Sequence, residues 1–304
     1  MTKFIAFSDI HIHNYSQFSV NDDRANACIC ILKEIFEYGE TNNVDFYTFL
    51  GDWYEKKSYL NPTLFNQTNK VISGIATKPI YSVIGHHDSF INDNDSYTMA
   101  SNKLIKLLTK EPLNINNIKI RGYHYWLAHS DIIDLSICDM GLFHFNSLLD
   151  IDRANSKVLE LYGHLHDPGS LSNNIHIVGS PMYHDFGDNS NIPRGFLEVN
   201  FSEGSFEIKR ILLNSKKFIT VTNSNEVKPE DGNYYRLLTH NTHTYKKFLN
   251  RPNVIVKYIG TESHTSINRI PYLLNPLNII KETNPDSVGV SIYNKFKRQN
   301  EIRN

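Results

Sequence analysis

Short apolar runs that stop abruptly at polar clusters set the rhythm of roughly the first 170 residues. Phe4 to Phe7 ends at Ser8-Asp9, and Asp45 to Leu50 ends at Gly51-Asp52. Between them Ala25, Cys28, Ile29, Leu32, Ile35, Phe36 and Gly39 recur at three- and four-residue steps, the stripe of a helix with one buried face. The unit repeats. Asn61-Pro62 is a helix start, Leu64, Thr68, Ile72 and Ile75 line one face, and Pro79 ends the helix before the apolar run Ile80 to Ile84. That run stops at Gly85-His86-His87-Asp88. Two further strands are expected, Gly141 to Phe143 leading into His144 and Val158 to Tyr162 leading into Gly163-His164-Leu165-His166. In open α/β sheets ligands sit outside the carboxyl ends of the strands, so these segments deliver their polar residues to one rim.

Beyond about residue 170 the pattern changes to short alternating runs. Phe196 to Phe201 and Ser205 to Leu213, joined by Ser202-Glu203-Gly204, predict a hairpin. After a link at Asn214 to Lys217 come Phe218 to Thr222, Tyr234 to Leu238, a short helix near Thr244 to Leu249 and Val254 to Ile259, which together predict a small α+β unit. The expected division is 1–213 for the main domain, 218–265 for the small unit and 266–304 for a tail. The tail carries Pro271, Pro276 and Pro285 and a basic end with Lys295, Lys297, Arg298 and Arg303; it reads as a solvated terminus or a docking segment.

Composition narrows the function classes. With 304 residues, 40% of them apolar, the chain can bury one large core and carry an appendage. A formal net charge of −1 gives no global basic field, so a grip on a polyanion must come from local patches, bound ions or a partner. The three cysteines argue against a disulfide framework and for a reducing compartment, and Cys28 and Cys30, two apart in a helix, point in different directions and read as packing. The N-terminus runs directly into a strand and no apolar run approaches the roughly 18 residues of a membrane helix, so a cytoplasmic protein with no membrane association is expected. Richness in Asn and Lys points to an AT-rich genome and suits a phage-encoded protein.

Fourteen histidines are the anomaly, several of them beside Asp or Gly where imidazole is better placed to bind metal than to pack. Asp9 and His11, two apart in an extended segment, offer an oxygen and a nitrogen on the same side to one divalent ion. Asp52, after a glycine that allows a sharp turn, can bridge that ion to a second through its two oxygens. His144 and His164 complete the second site, and His166 turns back to the first. Two ions about 3.5–4 Å apart clamp a phosphate and activate water, so hydrolysis needs no protein nucleophile. It still needs a donor near the leaving oxygen. His87 is the candidate, with Asp88 accepting its other ring N–H. His13 and His184 are candidates for facing the substrate; His124, His129, His176, His240, His243 and His264 need no role.

These clusters resemble the signature of the calcineurin-like metallophosphoesterases: Asp-x-His at Asp9/His11, Gly-Asp at Gly51/Asp52, Gly-Asn-His-Asp at Gly85 to Asp88, His144, and Gly-His-x-His at Gly163 to His166. The resemblance spans roughly residues 4 to 200 and implies a four-layer α/β/β/α sandwich with two metal ions. Gly179-Ser180-Pro181, Phe186-Gly187-Asp188 and Arg194-Gly195-Phe196 resemble the segment that follows the last metal motif in SbcD-type nucleases, and 218–262 fits the place of their small α+β capping domain. By that resemblance the substrate is DNA, the metal is manganese with zinc, iron or magnesium as alternatives, and the protein is a homodimer bound to an SbcC-type coiled-coil ATPase. One departure stands out. The family's Asn ligand is replaced by His86, whose imidazole is expected to ligate the second ion and shift the site toward nitrogen-loving metals. The competing readings are a stand-alone phosphodiesterase or phosphatase on nucleotides or phosphoproteins, and a noncatalytic scaffold for DNA ends or a partner.

Overall fold

The computed structural model describes residues 1–14, 23–55, 60–88, 99, 101–109, 111–122, 134–139, 157–202 and 204–259. In it the apolar runs become β1 (Thr2–Phe7), β2 (Phe46–Phe49) and β3 (Ile80–Ser82), separated by helices α1 (Asp23–Thr41) and α2 (Pro62–Ile75). Helix α1 buries Ala25, Cys28, Leu32, Ile35, Phe36 and Gly39 of the expected stripe, while Ile29 is half-buried and Ile31, outside the stripe, is buried. Cys28 is buried and Cys30 exposed, as their two-residue spacing requires. Helix α2 starts where Asn61 Oδ1 accepts the N–H groups of Thr63 and Leu64, with Pro62 in the first turn, where a missing N–H costs nothing.

The other strands are β4 (Ile105–Leu107), β5 (Leu113–Ile115), β6 (Ile118–Gly122), β7 (Leu135–Asp139), β8 (Leu159–Gly163), β9 (Gly169–Ser170), β10 (Ile175–Ile177), β11 (Gly195–Ser202) and β12 (Ser205–Leu212). Two six-stranded sheets result, in the orders β12-β11-β1-β2-β3-β4 and β5-β6-β7-β8-β10-β9. In the first, β1 to β4 are parallel and the β11–β12 hairpin adds antiparallel to β1. In the second, β6, β7, β8 and β10 are parallel. The sheets face each other across Phe4, Ala6, Phe46, Leu50, Leu135, Ile137, Leu159, Leu161, Leu197 and Val199, while Ile5, Phe7, Tyr47 and Phe49 pack on the other face against α1 and α2. This is the mixed α/β, multi-sheet architecture expected of a metallophosphoesterase sandwich. Among the described residues no helix covers the second sheet, so the expected fourth layer is not seen in them, and the segment Gly141 to Phe143 lies outside them.

A third, three-stranded parallel sheet follows, formed by β13 (Phe218–Val221), β14 (Tyr234–Thr239) and β15 (Val254–Tyr258), with helix α3 (Thr242–Phe248) between the last two. Arg24, from the start of α1, joins it to the rest. Its guanidinium donates to the carbonyls of Tyr183 and His184 and lies 4.7 Å from the centre of the Phe218 ring. Residues 260–304, including the tail, lie outside the described residues, and no helix among the described residues is long and apolar enough to cross a membrane.

Phe4 and Phe46, paired in register on β1 and β2, stack at 4.8 Å where the sheets meet. Phe46→Ala is expected to cost about 3–5 kcal/mol, read as a lowered urea midpoint. Leu212→Ala, at a side chain left 60% exposed on the edge strand, is expected to change stability by less than about 0.5 kcal/mol.

Candidate metal centre

The strand ends that converge between the two sheets are β1, β2, β3, β7 and β8. Past β1 and β2 the chain keeps its parallel pairing: Asp9 N donates to Gly51 O, His11 N to Asp52 O and Ile12 N to Trp53 O. Within that ladder Asp9, His11 and Asp52 adopt left-handed backbone conformations, with φ of 52°, 48° and 66°, and His164 does so after β8 with φ of 76°. Such conformations cost non-glycine residues of the order of 1–3 kcal/mol each and cluster at functional sites. They turn the side chains off the pleat and into the crevice. Glycines clear the space: a Cβ on Gly85 would stand 2.2 Å from Asp52 N, and one on Gly163 would stand 2.5 Å from Leu50 O.

Three overlapping groups of side chains result, of which His11, Asp52 and His87 form the one that links the other two. Asp9, His11 and His166 form the first, and Asp52, His86, Asp139 and His164 the second; within each group one donor atom per residue lies within 4.8 Å of the others. In the first, Nε2 of His11 and Nε2 of His166 face each other at 3.3 Å. Their other nitrogens meet carboxylates, His11 Nδ1 with Glu55 Oε2 at 2.8 Å and His166 Nδ1 with Asp188 Oδ1 at 3.1 Å. A proton held on each Nδ1 leaves the Nε2 lone pairs convergent, the arrangement that metal-ligating histidines have. In the second group His86 Nδ1 and His164 Nδ1 face each other at 3.2 Å. Asp52 joins the two groups. Its Oδ1 accepts the His87 N–H at 2.7 Å, while Oδ2, buried without a well-directed hydrogen bond, lies 2.9 Å from His86 Nδ1 and 3.8 Å from His11 Nε2.

The electrostatics agree with sites built for cations. Burial opposes a charge on His11, but the carboxylates of Asp9, Glu55 and Asp52 outweigh it and hold its pKa well above the usual value. Burial likewise opposes a charge on His86, yet Asp139 and Asp52 raise its pKa to about 9. Burial works against ionisation of Asp52, and His86 and His11 reverse that and hold its carboxyl below the usual range. The field of these carboxylates favours positive charge at His11 and His86. The shared position of Asp52, two pairs of convergent nitrogens and the surrounding carboxylates fit two divalent ions.

His87 sits beside both groups, its ring 4.9 Å from that of His11 and 4.0 Å from that of His86. Its Nδ1 lies 2.5 Å from the carbonyl oxygen of Glu55, which can only accept, so Nδ1 carries a proton and Nε2 is the nitrogen left for a substrate. Burial lowers its pKa, with Asp52 opposing. Here the expectation for Asp88 is corrected. Rather than orienting the His87 ring, its carboxylate accepts the backbone N–H groups of Asp52, Trp53 and Gly85 at 2.7, 2.8 and 3.0 Å, locking two turns together.

His184 is also corrected: it is buried behind the site rather than facing a substrate. Nε2 lies 2.9 Å from the carbonyl oxygen of Asp9 and 2.6 Å from Ser180 Oγ, and the ring packs against those of His11 and His166. His13 is half-buried on the loop after His11. His176, expected to lie in an unpatterned setting, is on β10, with Nδ1 2.8 Å from Ser170 Oγ and Nε2 3.0 Å from the Asn173 carbonyl. His144 lies outside the described residues, as do His124, His129 and His264. Three residues of the centre had no role in the reading of the sequence: Glu55, Asp188 and Asp139. For Asp139 the signal existed, since it ends a buried strand just as Asp9 and Asp52 follow theirs.

Beside His164 and His166 opens a groove of about 590 Å³, lined by Leu165, Asp167, Pro168, Gly169, Ser170, Ile177, Gly187, Asp188 and Ile192 in addition to the two histidines.

A sequence model described as calcineurin-like phosphoesterase matches residues 2–260. No curated protein matches the chain. Among solved structures it is similar to an archaeal phosphodiesterase, at 12% identity and a TM-score of 0.39 over 69% of this chain and 100% of that one. It is also similar to a Thermotoga maritima protein, at 15% identity and a TM-score of 0.32 over 70% and 100%. A third is the Pseudomonas putida nuclease MPE, at 11% identity and a TM-score of 0.31 over 57% and 66%.

Burial, with the charges of His11, His166 and Arg24, holds His184 well below the usual imidazole value. The unfolded chain takes up a proton at this residue below about pH 6.5, and the folded chain does not, so stability falls as the pH drops through that value. The slope from this residue approaches about 1.4 kcal/mol per pH unit. Urea unfolding between pH 7 and 5.5 is expected to show a shallower loss in His184→Gln than in the wild type. Equal slopes would remove His184 from this account.

Proposed function

The chain belongs to the calcineurin-like phosphoesterases, and on that footing we propose that it is a two-metal phosphodiesterase acting on DNA, the nuclease subunit of an SbcCD-like complex. The observation that carries the diester reading is the charge of the groove beside the ligands. Its lining holds Asp167 and Asp188 and, among the described residues, no Lys or Arg. Arg194 pairs with Asp167 at 2.6 Å and lies 3.9 Å from Asp188, so its charge is already engaged by these acids; the lining offers no further Lys or Arg to the second negative charge of a terminal phosphate monoester, whereas a diester brings only one. DNA, as opposed to a small diester, rests on the resemblance of the 179–196 segment and the following small α+β unit to SbcD-type nucleases. In this reading the native metal is manganese, and the protein is an intracellular homodimer. The net charge of −1 leaves much of the DNA grip to an SbcC-type ATPase docked through the tail.

In this reading Asp9, His11 and His166 would hold one ion, and His86, His144 and His164 the other, with Asp52 between them; His144 lies outside the described residues. What the ions supply when bound is neutralisation of the phosphate and activation of water. The residues around them do the rest. Asp188 and Glu55 fix the tautomers of His166 and His11, so that each presents Nε2 inward. The Glu55 carbonyl holds Nδ1–H on His87, so Nε2 is the nitrogen turned to the leaving oxygen, and it gives a proton there only as the imidazolium, after taking up a second proton from solvent.

With manganese the purified protein is expected to cleave linear duplex or single-stranded DNA, alone or with its ATPase partner. His87→Ala is expected to lower kcat by about 10²–10⁴ while the bound manganese, counted by mass spectrometry, stays unchanged. Hydrolysis of phosphate monoesters with no action on DNA, with or without the partner, would refute the reading.

A further inference from the structure

We infer that Asp139 is a ligand of the second metal ion, in the place that the pattern of histidines gives to His144, so that this site is built from two carboxylates and two imidazoles. The inference deepens the two-metal reading and rests on it.

Asp139 is the last residue of β7, and it pairs in register with Gly163 on β8, the residue immediately before His164. The parallel pairing therefore sets the carboxylate and the imidazole side by side at the rim. Oδ1 of Asp139 lies 3.8 Å from His164 Nδ1, and Oδ2 lies 3.7 Å from His86 Nδ1. Those two nitrogens are themselves 3.2 Å apart and close on Asp52 Oδ2. Four donor atoms from four different strand ends thus point at one another across a volume the size of a cation's coordination shell.

A purely structural reading assigns Asp139 the task of accepting the His86 backbone N–H, which Oδ2 does at 2.7 Å. That task does not need an ionised group. An amide or hydroxyl oxygen accepts a backbone N–H as well, without the several kcal/mol that burial of a carboxylate costs, and Asp139 is 1% exposed. The packing around the group is tight. Gly51, at φ of +101°, first clears the Gly85 backbone, whose Cα a Cβ there would meet at 2.6 Å, and Asp139 Oδ2 stands next at 3.2 Å. A ligand that uses one oxygen to hold the turn carrying the next ligand, and leaves the carboxylate aimed at that turn's imidazole, explains the buried charge.

Asp139 adds a full negative charge to the part of the Asp52 charge that this ion would receive, and two imidazoles complete a mixed oxygen and nitrogen set that suits manganese, iron or zinc. With a histidine in place of Asp139, the shared Asp52 would be the only carboxylate in the set.

The test is metal binding by the full-length, metal-free chain titrated with MnCl2, followed by calorimetry and by the electron paramagnetic resonance of the bound ions. Wild type is expected to bind two Mn2+ with an exchange-coupled spectrum; binding of fewer than two is the failure of the two-metal reading itself. Asp139→Asn keeps an oxygen for the His86 N–H but removes the charge. It is expected to bind the first ion as wild type does, to weaken the second by more than tenfold and to lose the coupled spectrum. His144→Ala is expected to keep both ions and the coupling. Wild-type affinity for the second ion in Asp139→Asn overturns the inference, as does loss of the second ion in His144→Ala. Should Asp139→Asn lose both ions, His144→Ala decides alone, since retention of two ions there leaves Asp139 as the ligand.

Discussion

Four carboxylates, those of Asp9, Asp52, Asp88 and Asp139, are each at most 1% exposed and lie together between two sheets. Ionised carboxylates in such a place cost several kcal/mol apiece unless hydrogen bonds and cations offset them, and much of the local structure is that offset. Asp9 accepts the backbone N–H of His164, and Asp52 that of His87. Asp88 accepts those of Asp52, Trp53 and Gly85, and Asp139 that of His86. Each acid therefore holds a turn other than its own. The turn after β1 is tied to the turn after β8, those after β2 and β3 to each other, and the end of β7 to the turn after β3. The two sheets share a core that would tolerate some sliding; at the rim these charge-assisted bonds remove that freedom.

The same constraint accounts for what could be read from the sequence. Carboxylates and histidines directly after apolar runs were visible because a parallel strand buried on both faces is continuously apolar, so its end is marked by the first polar residue. Asp9, His11, Asp52, His164 and His166 were found in that way. At Leu135–Asp139 the same rule points to Asp139, but a second apolar run, Gly141 to Phe143, ends at His144 a few residues on, and the pattern alone does not separate the two ends. The roles of Asp88 and His184 were not legible. A motif shows that a residue is near the site, but whether it faces the crevice or the backbone behind it depends on left-handed turns at Asp9, His11, Asp52 and His164, residue types enriched in that region yet adopting it too rarely to reveal it in a sequence. A glycine would adopt these conformations more easily, yet glycine brings no ligand, so the strain comes with the function. Strands β4, β9 and β10, three residues or fewer, were too short to leave a period.

The two halves of the centre meet their need for negative charge in different ways. In the first, the imidazoles of His11 and His166 are each backed on Nδ1 by a carboxylate, Glu55 and Asp188, so charge reaches the site through the ring and raises the basicity of the inward nitrogen. In the second, Nδ1 of His86 and of His164 is itself the inward atom, and among the described residues no carboxylate backs Nε2 of either ring, so the charge enters directly at the donor cluster. Asp139 lies where that requirement puts it. Seen this way, an imidazole at position 86 and a carboxylate at position 139 belong together: His86 adds a neutral donor that turns inward through Nδ1, and Asp139 holds its backbone while supplying the charge that the ring cannot.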